Sequence, residues 1–198
     1  VAFERVPPDD LPFSTIALAR KLIGTVLVRS SHDGIVAGRI IETEAYPPRD
    51  PASHAFIGRR PRNASMFLSP LHAYVYLIYG TSLCFNITSE TADRGAAVLI
   101  RALEPIAGLE LMRERRGVGR ERDLCRGPGR LAQALAIDRS LDGRYLPTDA
   151  EVWLARGERG RAPIGKSSRI GISRAAERPL RFYERGNPFV SGPRSLSP

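Results

Sequence analysis

The spacing of apolar and polar residues changes period several times along the chain, and each change marks an element. From Ser14 to Ile23 the apolar residues Ile16, Leu18, Ala19 and Leu22 recur at helical spacing, with Ser14 as N-cap and Gly24 as the stop. The period then falls to two. Thr25 to Arg29 and Ile35 to Tyr46, joined around His32-Asp33-Gly34, predict a long hairpin. Ala73 to Tyr79 and Leu83 to Thr88, turning at Gly80, predict a second hairpin, and Ala96 to Leu103 a further strand. Pro105 to Arg116 and Pro128 to Ile137 return to a helical pattern, each with proline in its first turn. Short strands are expected at Glu151 to Ala155, Arg169 to Ile172 and Leu180 to Tyr183. Strands run together with helices between or outside them. The expected class is therefore α+β: a single domain over residues 1–198, with a largely antiparallel curved sheet, a protruding β-hairpin and surrounding helices. The tail from Ser191 to Pro198 is expected to fray.

One stretch fits no period. Between Pro47 and Pro70 prolines stand at 47, 48, 51, 61 and 70, with Arg59, Arg60, Arg62 and Asn63 among them and His54 near the start. A loop that long in a small domain points to function. Composition adds a partner class. The net charge is +9 and lysine occurs only at Lys21 and Lys166, so the basicity is arginine, whose planar fork suits phosphate oxygens. A codon bias toward arginine accounts for the excess equally well when it is taken alone. Cys84 and Cys125 have no CxxC spacing, and no secretory leader is read before them. They read as buried apolar thiols in a reducing, cytosolic compartment, not as a disulfide scaffold or zinc knuckle. No apolar run reaches the roughly 18 residues of a spanning helix.

Candidate chemistry begins at Ile40-Ile41-Glu42-Thr43-Glu44-Ala45-Tyr46. Strand alternation places Glu42, Glu44 and Tyr46 on one face and Ile41, Thr43 and Ala45 on the other. A generic Glu-x-Glu is more often a solvated strand face. The second hairpin shifts that balance, because Tyr74, Tyr76 and Tyr79 crowd onto it beside Gly80, with Asn86 past the turn.

Taken together, seven collinear segments resemble the alkyladenine (3-methyladenine) DNA glycosylase family. They are Gly38 to Tyr46, Arg62 to Phe67, Tyr74 to Gly80, Cys84 to Ile87, Val98 to Pro105, Gly127-Pro128 with Leu131 to Leu135, and Pro179 to Tyr183. The resemblance runs from about Leu18 to Ser191. It implies a monofunctional glycosylase that flips alkylated or deaminated purines from duplex DNA and hydrolyses the N-glycosidic bond, initiating base excision repair. It assigns Glu44 as the carboxylate that activates water and Arg101 as the residue that places Glu44. Tyr46, His54 and Tyr76 become the walls that sandwich the base, and cationic methylated purines suit such rings. Asn86 lies under the purine edge and discriminates against normal guanine. Tyr79 becomes the wedge that intercalates where the nucleotide leaves.

No cofactor or metal is called for, and neither lysine falls in these segments to form a Schiff base. The expected partner is double-stranded DNA carrying a damaged purine, bound by a monomer without membrane association. The expected place is the cytoplasm, at the nucleoid in a bacterium, or the nucleus in a eukaryote. Arg113, Arg115, Arg116, Arg120, Arg122 and Arg126 read as phosphate contacts or, equally, as a solvated face. Two other functions compete. One is a non-enzymatic nucleic-acid binder that stacks bases on the tyrosine hairpin. The other is a carbohydrate hydrolase using Glu42 and Glu44, about 7 Å apart along a strand.

Overall fold

A computed structural model describes residues 2–78, 80–157 and 162–193. Its spine is an antiparallel sheet in which β2 (Gly34–Tyr46) is the organising strand. On one side β2 pairs with β5 (Ala97–Ala107). On the other, its first half pairs with β1 (Val26–Ser31) and its second half with β8 (Arg181–Glu184). The hairpin β3 (Ala73–Ile78) and β4 (Ser82–Thr88) joins β5 through Asn86 to Thr88 alone, so its outer half runs past the sheet. β6 (Val152–Ala155) extends the β1 edge and β7 (Ile164–Ser167) covers β8. This is the expected α+β fold.

The main core fills the space between the sheet and α1 (Thr15–Lys21), α2 (Leu109–Arg116), α3 (Glu121–Leu124) and α4 (Pro128–Ala134). Leu18, Leu22, Leu27, Ile40, Phe85, Ile100 and Phe182 are buried there, removing apolar surface from water at roughly 25 cal/mol per Å².

Several expectations need correction. Ser14 makes no side-chain cap; Glu90 Oε1 instead accepts from the Thr15 N–H at 2.9 Å and hydroxyl at 2.8 Å. Ile16 is exposed, outside the buried stripe. Pro105 to Ala107 continue β5, and α2 starts only after Gly108 turns the chain at φ 71°. A Cβ on Gly108 would sit 2.5 Å from the Ile35 carbonyl oxygen, so glycine is required there. The strand expected at Arg169 to Ile172 is loop; the strand in that region is β7. The loop after Pro47 contains short 3-10 helices at His54–Ile57 and Pro61–Phe67. Fraying does not begin at Ser191, which is buried and hydrogen-bonded to Glu42.

Candidate active site

Two bulges in the β2–β5 ladder set the chemistry. Ile40 opposes Leu103 and Glu42 opposes Ala102, so Ile41 is an extra residue on β2; Thr43 opposes Ile100, so Arg101 is an extra residue on β5. A bulge re-aims side chains. Ile41 leaves the face of Thr43 and Ala45 and packs with Ala102, Tyr183 and Val190, which corrects the simple alternation. Arg101 reaches both carboxylates: its Nε donates to Glu42 Oε1 at 3.0 Å, and its Nη1 ion-pairs with Glu44 Oε1 at 3.2 Å. Burial alone would lower the proton affinity of Arg101, but Glu44 and Glu42 outweigh that and raise it.

Neither glutamate lies on a solvated face, since both are fully buried. Glu42 is consumed by structure. Its Oε1 takes Arg101 Nε, Arg181 Nε at 2.7 Å and the Ser191 hydroxyl at 2.9 Å, while its Oε2 takes the Ser191 N–H at 2.6 Å. Glu44 is less committed. Its Oε1 accepts the Ile170 backbone N–H at 2.8 Å beside Arg101, and among the described residues its Oε2 accepts only the Tyr46 hydroxyl, at 2.9 Å. A carboxylate offers about four acceptor positions; Glu42 fills four, whereas Glu44 fills three, with Ile170, Arg101 and Tyr46.

Above this floor lies a cavity of about 460 Å³, of a size for one small ligand. Tyr46, His54, Tyr74 and Tyr76 supply its rings, and Asn86, Arg101 and Pro128 also line it. His54 stands edge-on to Tyr76 with centroids 4.5 Å apart, and its Nδ1 is 2.9 Å from the Tyr74 hydroxyl. Asn63 fixes the loop that carries His54: its Nδ2 donates to the His54 carbonyl at 2.8 Å and its Oδ1 accepts from the Arg60 N–H. Partial burial, and then Arg62, lower the His54 pKa below the ordinary 6.5, which favours the neutral ring at pH 7. Burial pushes the phenols of Tyr46, Tyr74 and Tyr76 above their ordinary value of 10; for Tyr46 the Glu44 carboxylate adds to it. Asn86 is buried and donates to the Tyr74 carbonyl at 3.0 Å, and its Oδ1 has no partner among the described residues.

The cavity thus gathers Tyr46, His54, Tyr76, Asn86 and Arg101, with Glu44 directly behind Tyr46 and Arg101 and outside the lining itself. Tyr79 lies outside the described residues. Sequence reasoning missed the segment from Ile170 to Arg174, which forms one wall. It also missed the fully buried pair behind it, where Arg169 meets both Asp50 oxygens at 2.8 and 3.1 Å. Arg169 further covers one face of the Tyr46 ring at 4.6 Å, leaving the other to the cavity. An arginine and an aspartate 119 residues apart give no local signal. The equal reading of the Arg113–Arg126 arginines resolves in part. Arg115 and Arg116 fold back onto the Ala134 and Leu124 carbonyls, and Arg113 pairs with Glu110.

A model of the methylpurine-DNA glycosylase family matches residues 10–188. The chain belongs to that family. A Mesorhizobium japonicum relative, provisionally named 3-methyladenine DNA glycosylase, is 58% identical over 95% of this chain and 90% of its own length. The DNA-3-methyladenine glycosylase of Homo sapiens is 47% identical over 89% of this chain and 64% of its own length. The mouse protein of the same name is 48% identical over 94% of this chain and 61% of its own length. In this methylpurine-DNA glycosylase the site is divided, with aromatic rings above and carboxylates ion-paired to guanidiniums below. Among the described residues no helix is long and apolar enough to cross a membrane, and no three His, Cys, Asp or Glu side chains gather as metal ligands. Cys84 and Cys125 are free and buried.

Proposed function

We propose that this chain is a monofunctional DNA-3-methyladenine glycosylase that opens base excision repair. A damaged purine leaves the duplex, enters the cavity, and loses its sugar to water activated by Glu44. The observation that carries this reading is the remaining acceptor position on Glu44, directly behind the Tyr46 and Arg101 side chains that line the cavity with His54 and Tyr76. A water held there loses its proton to the carboxylate as it attacks the sugar carbon. Arg101 shares its charge between Glu42 and Glu44, so Glu44 is fixed without being fully neutralised. The same negative charge stabilises the cationic sugar of the transition state.

The rings supply recognition. One face of Tyr46, with Tyr76 and the neutral His54 ring, stacks against the base, and a methylated cationic purine gains cation–π attraction. The Asn86 amide faces the purine edge and opposes the exocyclic amino group of guanine. Tyr79 is assigned the wedge role that the family resemblance implies, filling the vacated stack. Tyr79→Ala is expected to reduce extrusion of 2-aminopurine, read by fluorescence, more than bond cleavage.

Of the competing readings, the two-carboxylate carbohydrate hydrolase has lost its second group, because Glu42 is saturated by Arg101, Arg181 and Ser191. The deciding experiment is single-turnover release of free base from otherwise identical duplexes carrying 3-methyladenine, 7-methylguanine, hypoxanthine or ethenoadenine. Release of none of the four, with duplex binding intact, would leave the non-enzymatic stacking protein.

A further inference from the structure

Beside the charged floor lies a second cavity, of about 350 Å³, that the reaction above does not use. Arg122 and Arg126 form one wall, and Asn187, Pro188, Val190 and Gly192 belong to the other. Among the described residues no carboxylate lines it. Each arginine is anchored through its Nε to a backbone carbonyl, Arg122 to Pro188 at 2.8 Å and Arg126 to Val190 at 2.7 Å. Arg126 Nη2 also reaches the Gly192 carbonyl at 3.1 Å. Among the described residues, both Nη groups of Arg122 and Nη1 of Arg126 have no protein acceptor.

The neighbouring acids are engaged elsewhere. Asp123 faces Arg130 at 3.8 Å, and Glu42 is taken by Arg101, Arg181 and Ser191. Burial, and then the Arg122 charge, lower the pKa of Arg126 from its ordinary value. Like charges are therefore held together by backbone anchors, and among the described residues no carboxylate pairs directly with either of them. Two pinned guanidinium forks with spare N–H donors match the three-dimensional acceptor set of a phosphate.

We propose that this cleft is a phosphate-binding site in which Arg122 and Arg126 jointly hold one phosphate group. Its position favours a phosphodiester of the DNA strand over a free phosphate ion. Val190 and Gly192 line the cleft, while Ser191 between them points the other way and donates to Glu42. Arg126 lines the cleft, and Pro128, two residues on, lines the base cavity. The two cavities are thus neighbours, and a strand whose base enters one runs its backbone past the other. The choice of DNA as source rests on the proposed function; the phosphate chemistry does not.

The test uses undamaged duplex, so that it does not depend on excision. Binding is followed by fluorescence anisotropy from about 50 to 200 mM salt for the wild type, Arg122→Gln, Arg126→Gln and the double variant. Because one phosphate is shared, each single variant is expected to lose up to about one contact from the salt slope, and the double variant about one in total. Arg126 also anchors the Val190–Gly192 segment, so Arg122→Gln carries the test if Arg126→Gln melts early. A loss of about two in the double variant would mean two separate phosphates and overturn the shared site. Unchanged slopes, with calorimetric binding of inorganic phosphate that the variants abolish, would keep the site and overturn its DNA source. Unchanged slopes with no phosphate binding overturn the proposal altogether. Arginine-dependent slopes in a protein that excises no base would leave this site standing while the glycosylase reading fails.

Discussion

The floor and the wall of the cavity are built on opposite physical plans. The floor is four charges, Glu42, Glu44, Arg101 and Arg181, taken out of water and held by paired hydrogen bonds to one another and to Ser191 and Ile170. Groups buried this way have few alternative arrangements, since an unpaired buried charge costs several kcal/mol. The wall is rings in edge-on or stacked contact, from the buried Tyr74 through the half-buried Tyr46 and Tyr76 to the exposed His54. One hydrogen bond or none fixes each hydroxyl or ring nitrogen. Such contacts are worth about 0.5–1.5 kcal/mol each and tolerate small shifts. Bond breaking needs a carboxylate fixed in position, whereas reading several lesions needs a surface that accepts several shapes. Changes to the floor should therefore act steeply, and changes to the wall by degrees.

The steepest expected effect is at Glu44. Glu44→Gln removes the base while keeping an acceptor oxygen, and single-turnover excision should fall by about 10²–10⁴-fold. Lesion-duplex affinity should stay within about threefold, because the rings are untouched. More than a tenth of the wild-type rate would place the base elsewhere than Glu44.

Glu42 separates a structural charge from a chemical one. Glu42→Gln leaves Arg101 and Arg181 sharing one carboxylate fewer in a dry environment, and breaking buried pairs costs about 3–5 kcal/mol. For a domain of this size the thermal midpoint should fall by roughly 10 °C. Excision should fall too, since Arg101 is then free to neutralise Glu44. A midpoint within about 2 °C of wild type would show that this half of the floor is as forgiving as the wall.

The wall is tested at Tyr76. Tyr76→Leu keeps an apolar surface and removes the π face, so loss of cation–π attraction of about 0.5–2 kcal/mol predicts roughly 2- to 30-fold weaker binding of a 7-methylguanine duplex. A hypoxanthine duplex, whose base is neutral, should lose less. Equal losses for the two lesions, measured as dissociation constants with the Glu44→Gln protein, would mean that the ring serves by shape alone.

The same division explains what the sequence disclosed. The wall was legible because tyrosines on a two-residue period in a hairpin, with an asparagine past the turn, are a local pattern. Glu44 and Arg101 were legible through motif resemblance. The bulges at Ile41 and Arg101 were not, because alternation describes an unbroken ladder and assigned Ile41 to the wrong face. Nor was the Ile170 N–H, a backbone donor whose residue type carries no message. Asp50, Arg169, Arg181 and Ser191 are joined to the site across more than a hundred residues or through the C-terminal segment, and only tertiary packing pairs them. Read from spacing, the Arg169 region was a strand and Ser191 the start of a loose tail. Burial of charge decided otherwise in both places.

The smallest expected effect is a flat line, and it joins floor to wall through Tyr46. Its hydroxyl donates to Glu44 Oε2, and loss of that proton would set a phenolate against the carboxylate. The groups around it are Glu44 on its own strand, Arg101 on β5, Arg169 over its ring and Tyr76 on β3. Burial, then Glu44, hold the Tyr46 proton on well past the ordinary phenol range, against the opposite pull of Arg169 and Arg101. A raised pKa means that the protonated form persists as pH rises, so the donor to Glu44 survives throughout the alkaline range of an ordinary assay. Burial pushes the Tyr76 phenol and the Cys84 thiol upward as well, and His54, lowered from 6.5, has already lost its proton by pH 7. Excision of 7-methylguanine, whose base departs without a proton, should therefore show an acidic limb and then no change between about pH 7 and 10. Tyr46→Phe should lower that plateau a few-fold without tilting it. An alkaline fall in the wild type that Tyr46→Phe abolishes would show that the phenol titrates within the range, and that the wall sets the state of the floor.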